Sequence, residues 1–241
     1  MKIKTTLFCY ILLATTISAS TVTSLIQQFY EPGWKQSSVL RDGITVSRKP
    51  IPGSDIEAVM VSKPVTIQPQ TLIGVIEDVA HYHDFSPNSK YLIESRIVSV
   101  DSTGIIGYEC LSVPLLTDRH YFFRLREVRD SLHPNNARID WNLVPPTAEL
   151  MQYLKEHPSK GKDPILLGEG AGSWECQNIG SGKTIASYRL HLALAGNVPD
   201  LVVDFGQKVG VIGFFRDVLK ETIRRDAAMS ADSTKPSVIK N

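Results

Sequence analysis

The sequence predicts an α+β fold, an antiparallel sheet lying against one long C-terminal helix. Three observations carry this. Residues 90–194 hold six segments of two-residue alternation separated by short turns, the mark of an antiparallel meander. The segment that follows has apolar residues three and four apart, at Leu201, Phe205, Val209, Ile212, Phe215, Leu219 and Ile223, the stripe of an amphipathic helix. Before the meander stand two strands and one helix, so sheet and helices are segregated along the chain.

The elements follow in order. A short helical segment, TSLIQQFYEPGWKQ, precedes the strands GITVSRKPIPG and DIEAVMVSKPVTI, which a Pro-Gly turn separates. PQTLIGVIEDVAHYHDF reads as one helix over 69–85, opened by Pro69, with Leu72, Val75, Ile76 and Val79 on one face. The meander strands are KYLIESRIVSV, GIIGYECLSV, RHYFFRLREV, ARIDWNLV, GSWECQNI and KTIASYRLHLAL, broken by a short helix and loop over 145–164. The last helix is expected from Val198 to Arg225 with Asn197 as cap, and residues 229–241 as a mobile tail. No internal repeat is visible.

The chain has 241 residues, 42% hydrophobic and 21% charged, the composition of a globular domain. Its beginning differs. MKIK is basic, TTLFCYILLATTI is apolar but short, and SAS supplies small residues, the order of a secretory signal peptide over 1–20; an uncleaved anchor is the alternative. Without Lys2 and Lys4 the chain keeps 24 basic and 25 acidic residues, so no broad positive field draws it to nucleic acid or to anionic membranes. An exported protein, periplasmic or secreted, is expected. Cys110 and Cys176 fall on strands three apart in the meander, about 14 Å from each other, whereas a disulfide needs Cα atoms within about 7 Å. Both are expected as free thiols.

The closing helix holds Gly206, Gly210 and Gly213, each costing roughly 1 kcal/mol against Ala. Asp204, Lys208, Arg216, Asp217 and Lys220 on its other faces exclude a membrane span. The helix therefore covers an apolar surface closely. Alternation gives that surface: Tyr121, Phe123 and Leu125; Ile139, Trp141 and Leu143; Tyr188, Leu190, Leu192 and Leu194. Pattern alone leaves two readings open, a plain core or a sheet and helix with a cavity between them.

Three stretches resemble the START lipid-transfer domains. VPLLTDRHYFF (113–123) is similar to that family's Pro, polar-Asp-Arg turn and aromatic strand. GSWECQNIGSGKTIASYRLHLALAGNVPDLVVDF (172–205) resembles its closing hairpin and the start of its last helix, and RDGITVSRKPIPGSDI (41–56) its opening strands. The resemblance spans residues 25–226. It implies a helix-grip fold, a curved antiparallel sheet wrapped around the C-terminal helix, with a tunnel for one lipid and no cofactor. Lining by Tyr121, Phe123, Leu125, Trp141, Tyr188, Phe205, Val209 and Ile212 is then expected, with Gly206, Gly210 and Gly213 keeping the lid slim. A monomeric carrier with transient membrane contact through Leu115, Leu116 and residues 146–170 is implied. Two departures stand out: His120 occupies a position where many members have Asp, and Leu125 one where some have an inward Arg of a buried ion pair.

A substitute for that pair is Arg96 with Glu109. A tight turn at Asp101–Gly104 sets them opposite each other, and Glu109 shares its face with Ile105 and Leu111. They form either a head-group anchor inside the tunnel or an exposed salt bridge. Catalytic signals are thin. His81, His83 and Asp84 read as a solvated helix end rather than a metal site. His191 is expected to point outward, and Asp118–Arg119 to be a turn-stabilising pair. GEGAG (168–172) lacks the lysine of a phosphate loop. A helix-grip cyclase or hydrolase acting on a small hydrophobic substrate is the alternative function.

Overall fold

Alternation sorts the side chains of the sheet onto two faces, and each face is covered by different helices. The computed structural model describes residues 19–87, 91–112, 116–195 and 210–233. Among these, ten strands form one sheet: β1 (Lys35–Val39), β2 (Thr45–Lys49), β3 (Ala58–Val65), β4 (Leu92–Asp101), β5 (Gly104–Leu111), β6 (Arg119–Glu127), β7 (Ala137–Leu143), β8 (Ile165–Leu166), β9 (Gly170–Gly180) and β10 (Lys183–Leu192). Their order is β1-β2-β3-β10-β9-β7-β6-β5-β4, with the short β8 parallel to β6. The meander is as expected, and the opening strands join its far side where β3 pairs antiparallel with β10. Cys110 and Cys176 are free and buried, on β5 and β9.

The helices are α1 (Ala19–Tyr30), α2 (Pro69–Glu77), α3 (Tyr82–Phe85), α4 (Ala148–Glu156) and α5 (Ile212–Ser233). On the inner face, Ile139, Trp141, Leu143, Tyr121, Phe123 and Trp174 meet Leu72, Val75 and Ile76 of α2 and Phe215, Val218 and Leu219 of α5 in one core. Trp174 lies flat on Tyr188, ring centres 4.1 Å apart, and Phe215 stacks on it at 5.8 Å. The outer face carries two smaller clusters. Leu25, Ile26 and Phe29 of α1 cover Ala58 and Ala171, while Leu150, Tyr153 and Leu154 of α4 cover Ile106, Tyr108 and Phe122.

Several expectations change. The first helix stops at Tyr30 instead of running to Gln36, because Pro32 and Gly33 (φ +117°) turn the chain and 35–39 becomes the fully exposed edge strand β1. The helix expected over 69–85 is broken. It leaves helical geometry at Asp78 (ψ 49°), whose carboxylate is held by Arg225 and by His81 Nδ1, each at 2.5 Å. A 3-10 turn and α3 follow, which drives Tyr82 into the core, where its hydroxyl donates to the Ile76 carbonyl. The apolar stripe of α5 keeps Ile212, Phe215 and Leu219 but not Ile223, which is 51% exposed; buried Val218 and Thr222 take its place. Packing on α2 draws the stripe round by one position there. Residues 229–233, expected as tail, continue the helix; residues 198–209 and 234–241 lie outside the described residues.

Trp174→Ala is expected to cost about 3–5 kcal/mol, as aromatic truncation in a packed core does. Urea unfolding reads it; a loss under about 1 kcal/mol would show that the stack does not tie the sheet to α5.

Candidate functional site

Val59 on β3 and Leu92 on β4, far apart in strand order, border the same cavity, so the sheet curls around it. The cavity bounded by the described residues has a volume of about 170 Å³, room for a ring or a head group. Ile76 of α2, Tyr82 of α3 and Gly210, Val211 and Phe214 at the start of the closing helix complete the wall. The helix enters through a wider π turn at residues 210 and 211. No heavy atom of the described residues lies within 4 Å of where a Cβ would stand on Gly210.

Of the residues expected here, Glu109, Tyr121, Phe123, Leu125, Trp141, Tyr188 and Gly210 border the cavity. Ile212 and Gly213 are buried, Ile212 in the adjoining core. Phe205, Gly206 and Val209 lie outside the described residues, as does Leu115. Sequence reasoning missed Trp174, Tyr82 and Phe214. Trp174 was within reach, since it alternates with Cys176 and sits opposite Tyr188 on β10. Tyr82 was not, because its position depends on the break at Asp78.

Arg96 requires a correction. The turn pairs Asp101 with Gly104 and Ser99 with Ile106, but Ile97 pairs with Gly107, leaving Val98 as an extra residue in β4. This bulge shifts the register by one, so Arg96 faces Tyr108 and Ser95 faces Glu109. Arg96 is thereby turned to the outer face. Its guanidinium lies 4.4 Å from the Tyr108 ring centre and 5.5 Å from that of Tyr153, and donates two 3.1 Å bonds to the His157 carbonyl beyond α4. Arg96 staples α4 to the sheet and does not reach the cavity.

Glu109 stays on the inner face without a cation. Tyr121 donates its hydroxyl to Oε2 of Glu109, and no Lys, Arg or His is among the described residues of the cavity wall. Glu109 borders the cavity. Burial pushes its carboxyl up to about 7, although the Tyr121 bond pulls the other way. Burial and the nearby Glu109 charge also raise Tyr82 and Tyr121, so both stay neutral hydroxyls.

The other flagged groups are structural. Arg119 is buried and donates to the carbonyls of Leu194 (2.8 Å), Ala195 and Thr117, tying the end of β10 to the start of β6. Asp118 accepts from Lys162 N at 2.7 Å, so the expected pair acts as two separate ties. His191 does face away from the cavity, yet it is only 1% exposed, beside Ala171 in the layer that α1 covers. His120 receives or gives a 3.0 Å bond with the Tyr108 hydroxyl on the outer face.

Comparison with solved structures identifies the architecture. Human STARD10 aligns with a TM-score of 0.64 at 14% identity, covering 86% of this chain and 80% of its own. Human StAR-related lipid transfer protein 5 aligns at 0.63 and 15% identity, covering 85% and 94%. A STAR-related lipid transfer protein from Xanthomonas axonopodis aligns at 0.62 and 14% identity, covering 78% and 97%. This is the START helix-grip fold. No protein-family model matches the chain, and no curated protein matches it in sequence. The cavity here lies between the curled sheet and the start of the closing helix.

Two predictions follow from this geometry. An acid whose pKa rises on folding loses stability as pH climbs from about 4.5, where the unfolded chain ionises, to about 7. Glu109→Gln removes that loss, so on the delipidated protein its stability relative to wild type rises by up to about 3 kcal/mol from pH 4.5 to pH 8. An advantage that does not change with pH would show that Glu109 does not titrate there. Arg96→Met is expected to cost about 1–2 kcal/mol and to speed protease cleavage in 148–163 while leaving ligand head-group preference unchanged. A changed preference would return Arg96 to the cavity.

Proposed function

We propose that this protein binds one hydrophobic ligand between its curled sheet and closing helix and carries it between membranes, without chemical change. The observation that carries the reading is the largely apolar cavity bordered on one side by the helix start at Gly210–Phe214. Burying apolar surface contributes about 25 cal/mol per Å², so a ligand needs only shape and contact area to stay bound. The similarity to STAR-related lipid transfer proteins supports a lipid as that ligand.

Carriage outside the cytoplasm fits the signal-like first twenty residues, since lipids cross water only when shielded. Met151 on α4 and Ile165 on β8, each 41% exposed, are the apolar groups of the 146–170 insertion available for brief contact with a bilayer. The protein acts as a monomer in this reading.

The test is native mass spectrometry of protein purified without detergent, followed by identification of the released ligand. One bound lipid per chain is expected. Gly210→Leu should lower that occupancy several-fold with the fold retained, because the new side chain enters open cavity space. An empty wild-type protein that also fails to take up fluorescent phospholipid, sterol or fatty acid would overturn the reading.

A further inference from the structure

The cavity wall has an uneven electrical character. Its described residues include one carboxyl, Glu109, and no base. Tyr82, Tyr121 and Tyr188 all lie close enough to Glu109 to feel its charge. Two of the three hydroxyls donate within the wall: Tyr82 to Ile76 O and Tyr121 to Glu109 Oε2, while the Tyr188 hydroxyl accepts from the Trp141 indole N–H and keeps its own proton. No described residue bonds the other oxygen of Glu109. The one ionisable carboxyl of the described wall is thus set among electron-rich rings and the hydroxyls of Ser112 and Tyr188.

Each kind of ligand head meets this wall differently. An anionic head would lie beside a like charge with no counterion among the described residues, and burying an unpaired charge is costly. A hydroxyl or carbonyl would make one ordinary hydrogen bond, worth about 1 kcal/mol. A protonated amine would make a charge-assisted bond, roughly twice as strong, and would also gain from ring faces within about 6 Å. It would meet a carboxyl that folding has already desolvated, so that part of the usual desolvation penalty of a buried ion pair has been met before binding.

Resting on the carrier reading, we propose that the inner end of the cavity is a cation-selective head-group site, in which Glu109 and the rings of Tyr82, Tyr121 and Tyr188 receive the protonated amine of an aliphatic amphiphile. Glu109 is the ion-pair partner. Tyr121 holds its carboxylate in place through Oε2, leaving the other oxygen for the ligand. The cavity thereby discriminates by charge among ligands with the same apolar body.

A head-group series at constant chain length tests this. Dodecylamine, dodecanol and dodecanoate are titrated calorimetrically into the full, delipidated protein at pH 7. Dodecylamine is expected to bind about tenfold more tightly than dodecanol, with dodecanoate weakest. In Glu109→Gln the ratio of amine to alcohol affinity should fall to about one. Dodecanol binding as tightly as the amine, or an amine-to-alcohol ratio that survives Glu109→Gln, would overturn the charge selection and leave the carrier standing. Failure of all three to bind would overturn the carrier reading and this site with it. The wild-type series decides the matter even if the variant folds poorly.

Discussion

Trp174 lies between Tyr188, 4.1 Å away on the next strand, and Phe215, 5.8 Å away on the closing helix. Phe214 meets the same indole edge-on at 5.9 Å. Much of the site depends on this contact. It fixes the distance and rotation at which α5 crosses the sheet, and so sets how much space remains where Gly210 and Val211 border the cavity. Flat aromatic faces suit the task. They bury large areas with few torsions to order, and they resist the sliding that would close the gap.

The two faces of the sheet do different work. The inner face holds the cavity, bordered by α2, α3 and the start of the closing helix. The outer face is sealed by α1 and α4, and charged side chains fasten those covers. Arg96 fixes α4. Arg138 and Arg189 flank the Tyr30 ring at 3.9 and 4.6 Å, while Tyr30 and Ser173 share a 2.6 Å hydrogen bond at the end of α1. Lys49 donates to the Gln28 and Glu31 carbonyls there. Two of these cations also pair with carboxylates, Arg138 with Asp140 and Arg189 with Glu175. In the cavity wall the arrangement is reversed. A lone acid has no described cation, and burial moves its titration to near-neutral pH. The contrast makes Glu109 the group by which the site can distinguish ligands.

Much of this was legible in the chain itself. The meander order, the free thiols three strands apart, and the inward faces of Tyr121, Phe123, Leu125, Trp141 and Tyr188 follow from alternation and turn spacing. A strand's two faces are fixed by its period whatever it packs against. Alternation also set Glu109 beside Leu111 on an apolar face, but left open whether it turned to the cavity, which the structure shows it does.

Its supposed partner was misplaced because a single extra residue in β4, Val98, turns Arg96 to the other side, and no local signal marks the bulge. Tyr82 reached the cavity only because Arg225, far along the chain, holds Asp78 and breaks the helix before it. Sequence alone therefore determined the order of the meander and which strand residues share an apolar face, since both rest on short periodicities that each segment carries by itself. Tertiary structure decided the electrical character of the cavity, since register and a helix break depend on contacts between residues distant in the chain.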